Sequence, residues 1–237
     1  MVREMHADSR IPRDGLPSAN EEAACLMSPG RSLAVLAVTT WAIALGPAAA
    51  QPRNPEAGQA VFAAKQCARC HQPRGEQSAG PALEEIRHPQ GEMELAGRLW
   101  NHLPAMFTAM AGTGARWPEI SATEMGALMA YLGADGARDP EPDLFKGQVA
   151  LLKKGCLKCH SLRREGGPVR PDLAERRADY ESAAAWAATM WTHTPRMAEM
   201  AARQGIAYPR FAGDEMVNLI GLLRSASATP RGPAPRR

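Results

Sequence analysis

The chain has 237 residues, which is long enough for one large domain or two small ones. Its formal charge of +3 is too mild to indicate nucleic-acid binding, and no dense stripe of lysine and arginine appears away from the ends. Aromatic residues make up only 5% of the chain, while there are 21 glycines and 20 prolines. We expect a chain of this composition to form only a small core from its side chains. A bound apolar group would enlarge that core.

The first 50 residues have the pattern of a targeting segment. Residues 32–46 are almost wholly apolar, Arg31 precedes them, and three alanines end at Ala50. A basic residue, a short apolar run and a small-residue cleavage site are typical of a secretory signal peptide. The run is shorter than the roughly 20 apolar residues that span a bilayer. We predict cleavage after Ala50 and a periplasmic protein; the alternative is an uncleaved N-terminal anchor.

Residues 1–26 do not fit the start of such a signal. They contain five acidic residues, whereas the first region of a signal peptide is basic. We therefore predict that translation begins at Met27. Removing residues 1–50 also removes Cys25, and the four remaining cysteines all fall into two close pairs.

A repeated pattern covers most of the remaining chain. The first cysteine pair reads Cys67-Ala-Arg-Cys70-His71, and Cys156-Leu-Lys-Cys159-His160 follows 89 residues later. Other residues match at similar offsets: Gly58 with Gly147, Gly80-Pro81 with Gly167-Pro168, Trp100 with Trp191, His102 with His193, Pro104 with Pro195, and Met106 with Met197. We predict an internal duplication with halves at 53–136 and 141–225, a stiff linker over 136–143, and a disordered basic tail over 226–237.

Apolar spacing predicts three helices in each half and no strand of useful length. The first covers 56–70 and 142–159 and runs into the cysteine pair. The second covers 92–102 and 181–193, where Pro104 and Pro195 are expected to end it. The third covers 121–133 and 213–224, and Ser121 with Glu124 fits a capping box. The predicted fold is all-α, with two small helical domains in tandem.

The two Cys-x-x-Cys-His sequences predict two covalently attached haems. Cysteines three residues apart lie on neighbouring positions of one helical turn, so their sulfurs reach the two vinyl groups on one edge of a porphyrin. The histidine then reaches the iron, and this pentapeptide is the attachment sequence of c-type haem. We predict iron ligands at His71 and His160, and thioether bonds at Cys67, Cys70, Cys156 and Cys159.

Two other interpretations of the cysteine pairs explain less of the sequence. A thioredoxin-like redox pair needs no histidine after it and belongs to a βαβ context, which is absent here. A four-cysteine zinc site would use both pairs but would leave both histidines, and the repeat around them, without a role.

The second axial ligand of each iron is expected to be methionine or histidine, and the repeat offers Met106 with Met197 or His102 with His193. Trp100 and His102 point to opposite sides of a helix, so a tryptophan that faces the haem excludes the histidine. Met106 follows the proline that is expected to end the helix, in a loop able to fold over the ring. We predict Met106 and Met197 as ligands, with His102 and His193 as the alternative.

A Gly-Pro sequence follows each proximal histidine. We expect a carbonyl of Gly80-Pro81 or of Gly167-Pro168 to accept the Nδ1–H of that histidine and to orient its ring. The alternative is a simple turn without such a bond.

Each half resembles a class I cytochrome c domain. The resemblance rests on the Gly-bearing first helix, the Cys-x-x-Cys-His sequence, the Gly-Pro loop, the middle helix, the methionine segment and the C-terminal helix, which ends near Tyr131-Leu132 or Leu222-Leu223. It covers nearly all of residues 53–225. It implies crossed first and last helices and an iron held by histidine and methionine. The Trp-Asn/Thr-His-x-Pro-x-Met signature is similar to that of a bacterial subgroup of small periplasmic cytochromes.

The resemblance implies an electron carrier that exchanges single electrons with a redox partner protein and that touches a membrane only through partners. A diheme peroxidase-like enzyme and a cytochrome subunit of a larger dehydrogenase or oxidase are the alternatives. Five cations lie near the second haem: Lys153, Lys154, Lys158, Arg163 and Arg164. Together with the basic tail they would steer an acidic partner, and the alternative is an ordinary solvated face.

Overall fold

The computed structural model describes residues 54–169 and 171–228, in which helices predominate. The first half contains α1 (Pro55–Ala64), α2 (Leu83–Ile86), α3 (Glu92–Gly112) and α4 (Ala122–Tyr131). The Asn54 side chain caps the start of α1 by accepting two backbone N–H groups. The predicted capping box at the start of α4 is confirmed, since Ser121 and Glu124 each accept the backbone N–H of the other.

The second half contains α5 (Leu144–Lys153), α6 (Ala183–Arg203) and α7 (Glu215–Ala228), and a hairpin of β1 (Ser161–Leu162) with β2 (Glu165–Gly166). The mostly helical structure fits the predicted all-α class. Residues 226–228, which were expected in the tail, belong to α7 instead. The predicted signal peptide, the start at Met27 and residues 229–237 lie outside the described residues. Within the described part, no helix has the length and hydropathy needed to cross a membrane.

The first and last helices of each half cross at a glycine. α1 packs against α4, and α5 packs against α7. A methyl group on Gly58 would overlap the carbonyl oxygen of Ala127, and one on Gly147 would overlap that of Asn218. Only glycine lets the paired backbones approach this closely. The crossed first and last helices implied by the resemblance are therefore present in both halves.

The prediction that Pro104 and Pro195 end the second helices is wrong. α3 continues eight residues beyond Pro104 to Gly112, and α6 continues eight residues beyond Pro195 to Arg203. Met106 and Met197 therefore lie within helices and not in loops. The carbonyl four residues before each proline loses its helical donor, because proline has no N–H.

Side chains from distant loops replace the missing donors. The Tyr208 hydroxyl donates to the carbonyl oxygen of Trp100 at 3.1 Å. The Trp117 indole N–H donates to the carbonyl oxygen of Trp191 at 3.0 Å. Each helix thus keeps its buried carbonyl satisfied and remains regular past its proline.

The same loops make reciprocal contacts between the halves. α3 packs against α6. The Trp100 indole N–H donates to the carbonyl of Pro209 at 2.7 Å, and the Trp191 indole N–H donates to that of Pro118 at 2.7 Å. The loop after α3 therefore lies on α6 and the loop after α6 lies on α3, an exchange of equivalent contacts like that of a twofold interface.

The predicted linker is bonded to the first half. A 3₁₀ turn covers Gly136–Arg138, and the Asp139 carboxylate accepts the N–H of Met93 at 3.0 Å. Asp139 also fills the space beside Gly91, where an added Cβ would lie 3.0 Å from its Cγ. The segment therefore caps the start of α3 and is not a free spacer.

Candidate functional site

Both cysteine pairs lie on short 3₁₀ turns that are separated from the preceding helix. The prediction that the first helices run into the cysteines is wrong, since α1 ends at Ala64 and α5 at Lys153. The reason is a left-handed residue in each half, Gln66 with φ 62° and Gly155 with φ 71°. Such a residue cannot continue a right-handed helix. The turns Cys67–Arg69 and Cys156–Lys158 follow directly.

The four cysteines of the described residues are half-buried thiols without disulfides. Burial raises the pKa of the Cys67 and Cys156 thiols to about 11. A redox-active cysteine has a lowered pKa, so these thiols have the opposite character. Over residues 54–169 and 171–228, no three His, Cys, Asp or Glu side chains form a metal-binding group, so the two pairs do not join in a zinc site.

The first proximal histidine has a fixed ring orientation. His71 is buried, and its Nδ1 lies 3.0 Å from the carbonyl oxygen of Pro81. This contact confirms the predicted carbonyl partner in the first half. A Cβ on Gly80 would lie 2.8 Å from Cε1 of His71, so glycine leaves the ring its space. With Nδ1–H donated to the carbonyl, Nε2 retains the lone pair that binds a metal.

The second proximal histidine has a different environment. The Nδ1 of His160 is buried and has no hydrogen-bond partner, so the predicted carbonyl partner at Gly167-Pro168 is wrong. The loop from His160 to Gly167 is two residues shorter than the corresponding loop of the first half. It folds into the β1–β2 hairpin, where the Gly167 N–H donates to the carbonyl of His160 at 2.9 Å.

A second histidine, carried by a long helix, lies close to each proximal histidine. The ring centres of His71 and His102 on α3 are 6.0 Å apart, with 60° between the ring planes. The ring centres of His160 and His193 on α6 are also 6.0 Å apart, with 56° between the planes. The two halves therefore present the same pair of rings at the same separation.

The tryptophans that precede these histidines point elsewhere. Trp100 stacks against Trp186 and Tyr208 and meets Phe211 edge to face, within the contact between the halves. A tryptophan that faced the haem would have excluded His102 as a ligand. Trp100 packs elsewhere, so His102 remains available.

Met106 and Met197 lie on the same faces as these histidines. Each follows its histidine by four residues, which places it one helical turn, about 5.4 Å, further along the same side. Both are half-buried and pack against the apolar core. Their role as iron ligands stays a prediction.

Burial favours the neutral form of the helix-borne histidines. It lowers the pKa of His102, and the neighbouring His71 lowers it further. Burial also lowers the pKa of His193, as do Arg176 and Arg196. Neutral imidazole is the form that binds metals. Thiols, a proximal histidine and a facing histidine or methionine make a donor set that fits a covalently attached haem in each half.

The side chains that donate to the free carbonyls of α3 and α6 were not predicted from the sequence. Trp117-Pro118 and Tyr208-Pro209 are 91 residues apart, the same offset that relates Trp100 to Trp191. Extending the repeat past the methionines would have identified them. Their bonding role depends on the two helices lying side by side, which the offset does not reveal.

Comparison with known proteins gives one family. Residues 55–134 match the family model described as Cytochrome c, over a stretch that includes α1 to α4 and the first Cys-x-x-Cys-His turn. No curated protein and no solved structure matches the chain. The match to residues 55–134 supports a c-type cytochrome with covalently bound haem and a role in electron transfer.

Proposed function

We propose that the chain is a diheme c-type cytochrome that carries single electrons, with cytochrome c domains at 53–136 and 141–225. The recurrence of the first half's site in the second half carries this proposal. The second half has its own Cys-x-x-Cys-His turn, and the ring centre of His193 lies 6.0 Å from that of His160. Gly147 repeats the close helix crossing made by Gly58. These matched features support a second domain after residues 55–134.

The residues of the chain would attach, orient and shield the two groups. Cys67 and Cys70 would form thioether bonds in the first half, as would Cys156 and Cys159 in the second. When bound, each haem supplies an iron that gains or loses one electron. The bond from His71 to Pro81 would keep the ring in one orientation as the iron changes charge. The helices α3 and α6 would cover the opposite side and exclude water.

Paired cysteine variants test this proposal. Replacing Cys67 and Cys70 by alanine should remove one of two haems, and replacing Cys156 and Cys159 should remove the other. Haem staining and the absorbance of the denatured protein measure the loss in material matured by an export-competent host. The wild type, purified in parallel, gives the reference signal for two haems per chain. A wild type that stains no more strongly than either variant would contradict a diheme protein.

Electron carriage, without catalysis, is part of the proposal. A second protein ligand at each iron would leave no site for a substrate, whereas a peroxidase-like enzyme needs one open position. Low-spin spectra for both haems in the oxidised, half-reduced and reduced protein are expected. A high-spin signal in the resting or half-reduced protein would favour the peroxidase-like alternative.

We also propose that the chain is exported and cleaved after Ala50. The support is the apolar segment 32–46 with its basic and small-residue flanks. N-terminal sequencing of the periplasmic fraction should begin at Gln51. A mature protein that retains residues 27–50, or a peptide from residues 1–26 in cells, would contradict the export proposal or the start at Met27.

A redox partner with an acidic surface is proposed to bind near the second Cys-x-x-Cys-His turn. Lys153, Lys158 and Arg164 are exposed there. The Lys154 ammonium instead pairs with the Glu215 carboxylate at 2.7 Å, so it contributes less to the positive potential of this surface.

Salt dependence tests this proposed partner surface. Electron-transfer rates with an acidic partner should fall as salt rises, and Lys153→Glu with Lys158→Glu should lower them further. Arg116→Glu, at an exposed cation of the first half, is the comparison variant. Rates that do not change with salt would contradict steering.

A further inference from the structure

We propose that His102 and His193, rather than Met106 and Met197, are the second axial ligands, so that each iron is held by two histidines. This inference rests on the proposed function, because it assigns ligands to the haems proposed there. It replaces the methionine ligands predicted from the sequence and departs from the ligand pair that the resemblance implied.

The separation of the rings carries the assignment. An imidazole nitrogen lies about 2 Å from a bound metal and roughly 1 Å from its own ring centre, so two imidazoles on opposite sides of one metal have centres about 6 Å apart. The separation is 6.0 Å for His71 with His102 and 6.0 Å for His160 with His193. Two ring nitrogens that point at one metal from opposite sides are about 4 Å apart, which ring centres at this separation allow.

Agreement between the halves makes ordinary packing a weaker explanation. The loops after the two proximal histidines differ in length, and only His71 has a partner for its Nδ1. The turns and helices nevertheless place both pairs of rings at one distance and within a few degrees of one angle between planes. If the rings were in contact only through packing, their separation and angle would be expected to differ between halves whose surrounding loops differ.

The continuity of α3 and α6 removes the main argument for methionine. Met106 was expected in a loop after Pro104 that folds over the ring, but it lies within α3. The Tyr208 hydroxyl and the Trp117 indole instead satisfy the carbonyls that the prolines leave free, and the helices continue. Met106 is thereby held one turn beyond His102, where it packs against the apolar core.

Spectra of single variants test the assignment. His102→Ala and His193→Ala should each open one axial position, so that about half of the haem becomes high-spin. Added imidazole should return that half to the low-spin form. Met106→Leu and Met197→Leu should leave both haems low-spin. The wild type should lack the methionine–iron charge-transfer band.

Reduction potentials provide a second measurement that does not depend on an open site. His102→Met keeps a possible ligand at the same position, and methionine ligation raises the potential relative to histidine. One of the two haems should therefore shift to a higher potential and gain the charge-transfer band. This variant also serves where the alanine variants fail to mature.

Failure of the ligand assignment is distinguishable from failure of the proposed function. Protein without covalent haem contradicts the proposed function itself. Protein with two haems, in which the Met→Leu variants open an axial position and the His→Ala variants do not, overturns the assignment and leaves the diheme proposal intact. A wild-type charge-transfer band from methionine would overturn it in the same way.

Discussion

Replacing Gly58 by alanine should force α1 away from α4. The added carbon would overlap the Ala127 carbonyl oxygen and lie 2.5 Å from Cβ of Tyr131, whereas ordinary contact begins at 3.4 Å. Because the nearest neighbour is backbone, no rotamer change relieves the overlap, and the helices must part by about 1 Å. We expect a cost of about 3 kcal/mol from lost packing, offset by about 1 kcal/mol from the better helix propensity of alanine.

Thermal unfolding of the mature protein measures this effect. A net loss of about 2 kcal/mol should lower Tm by roughly 4–8 °C for a protein of this size. Gly112→Ala is the matched control, because that glycine ends α3 and a Cβ there meets no atom within 4 Å. Its Tm should stay unchanged or rise slightly. Equal Tm values for Gly58→Ala and Gly112→Ala would refute the close crossing of α1 and α4.

Three further predictions address the helix continuity, the first site and the pH dependence. Tyr208→Phe should destabilise the protein by about 1–3 kcal/mol, because the carbonyl of Trp100 loses its donor; an unchanged denaturation midpoint would count against the bond. Gly80→Ala should displace the His71 ring, since the new carbon would lie 2.8 Å from its Cε1, and should alter the spectrum of one haem of two. Identical wild-type and variant spectra would contradict that contact. The Lys65 ammonium and the Ser121 N–H lower the pKa of Glu124 to about 2, so its stabilising contribution is present above about pH 4.5 and is lost as the pH falls toward 2. Glu124→Gln should flatten the loss of stability over that window by a small amount, because the side chain is about one third exposed; equal acid titration curves would contradict this.

Short-range signals in the sequence predicted the local parts of the site well. The capping box of Ser121 with Glu124 needs only residues within one turn, and it is present. The carbonyl partner of His71 lies ten residues away in a loop that the Gly-Pro sequence identifies. The presence of the long helices in each half could also be predicted, because apolar spacing depends on neighbours along one helix.

Contacts between distant segments account for the parts that the sequence did not reveal. Proline ends a helix by default, but Tyr208, 104 residues after Pro104, supplies the donor that lets α3 continue. The break before Cys67 depends on the left-handed backbone of Gln66, a residue type without a strong preference for that conformation. The unpartnered Nδ1 of His160 follows from a two-residue difference in loop length, whose geometry no local pattern determines.

Intact mass under denaturing conditions tests the central claim most directly. Protein exported and matured by a host that attaches c-type haem should weigh as much as the polypeptide from Gln51 plus two haem groups, with one haem on the peptide of Cys67 and Cys70 and one on that of Cys156 and Cys159. A mass equal to the bare polypeptide, or a haem that dissociates on denaturation, would contradict the account.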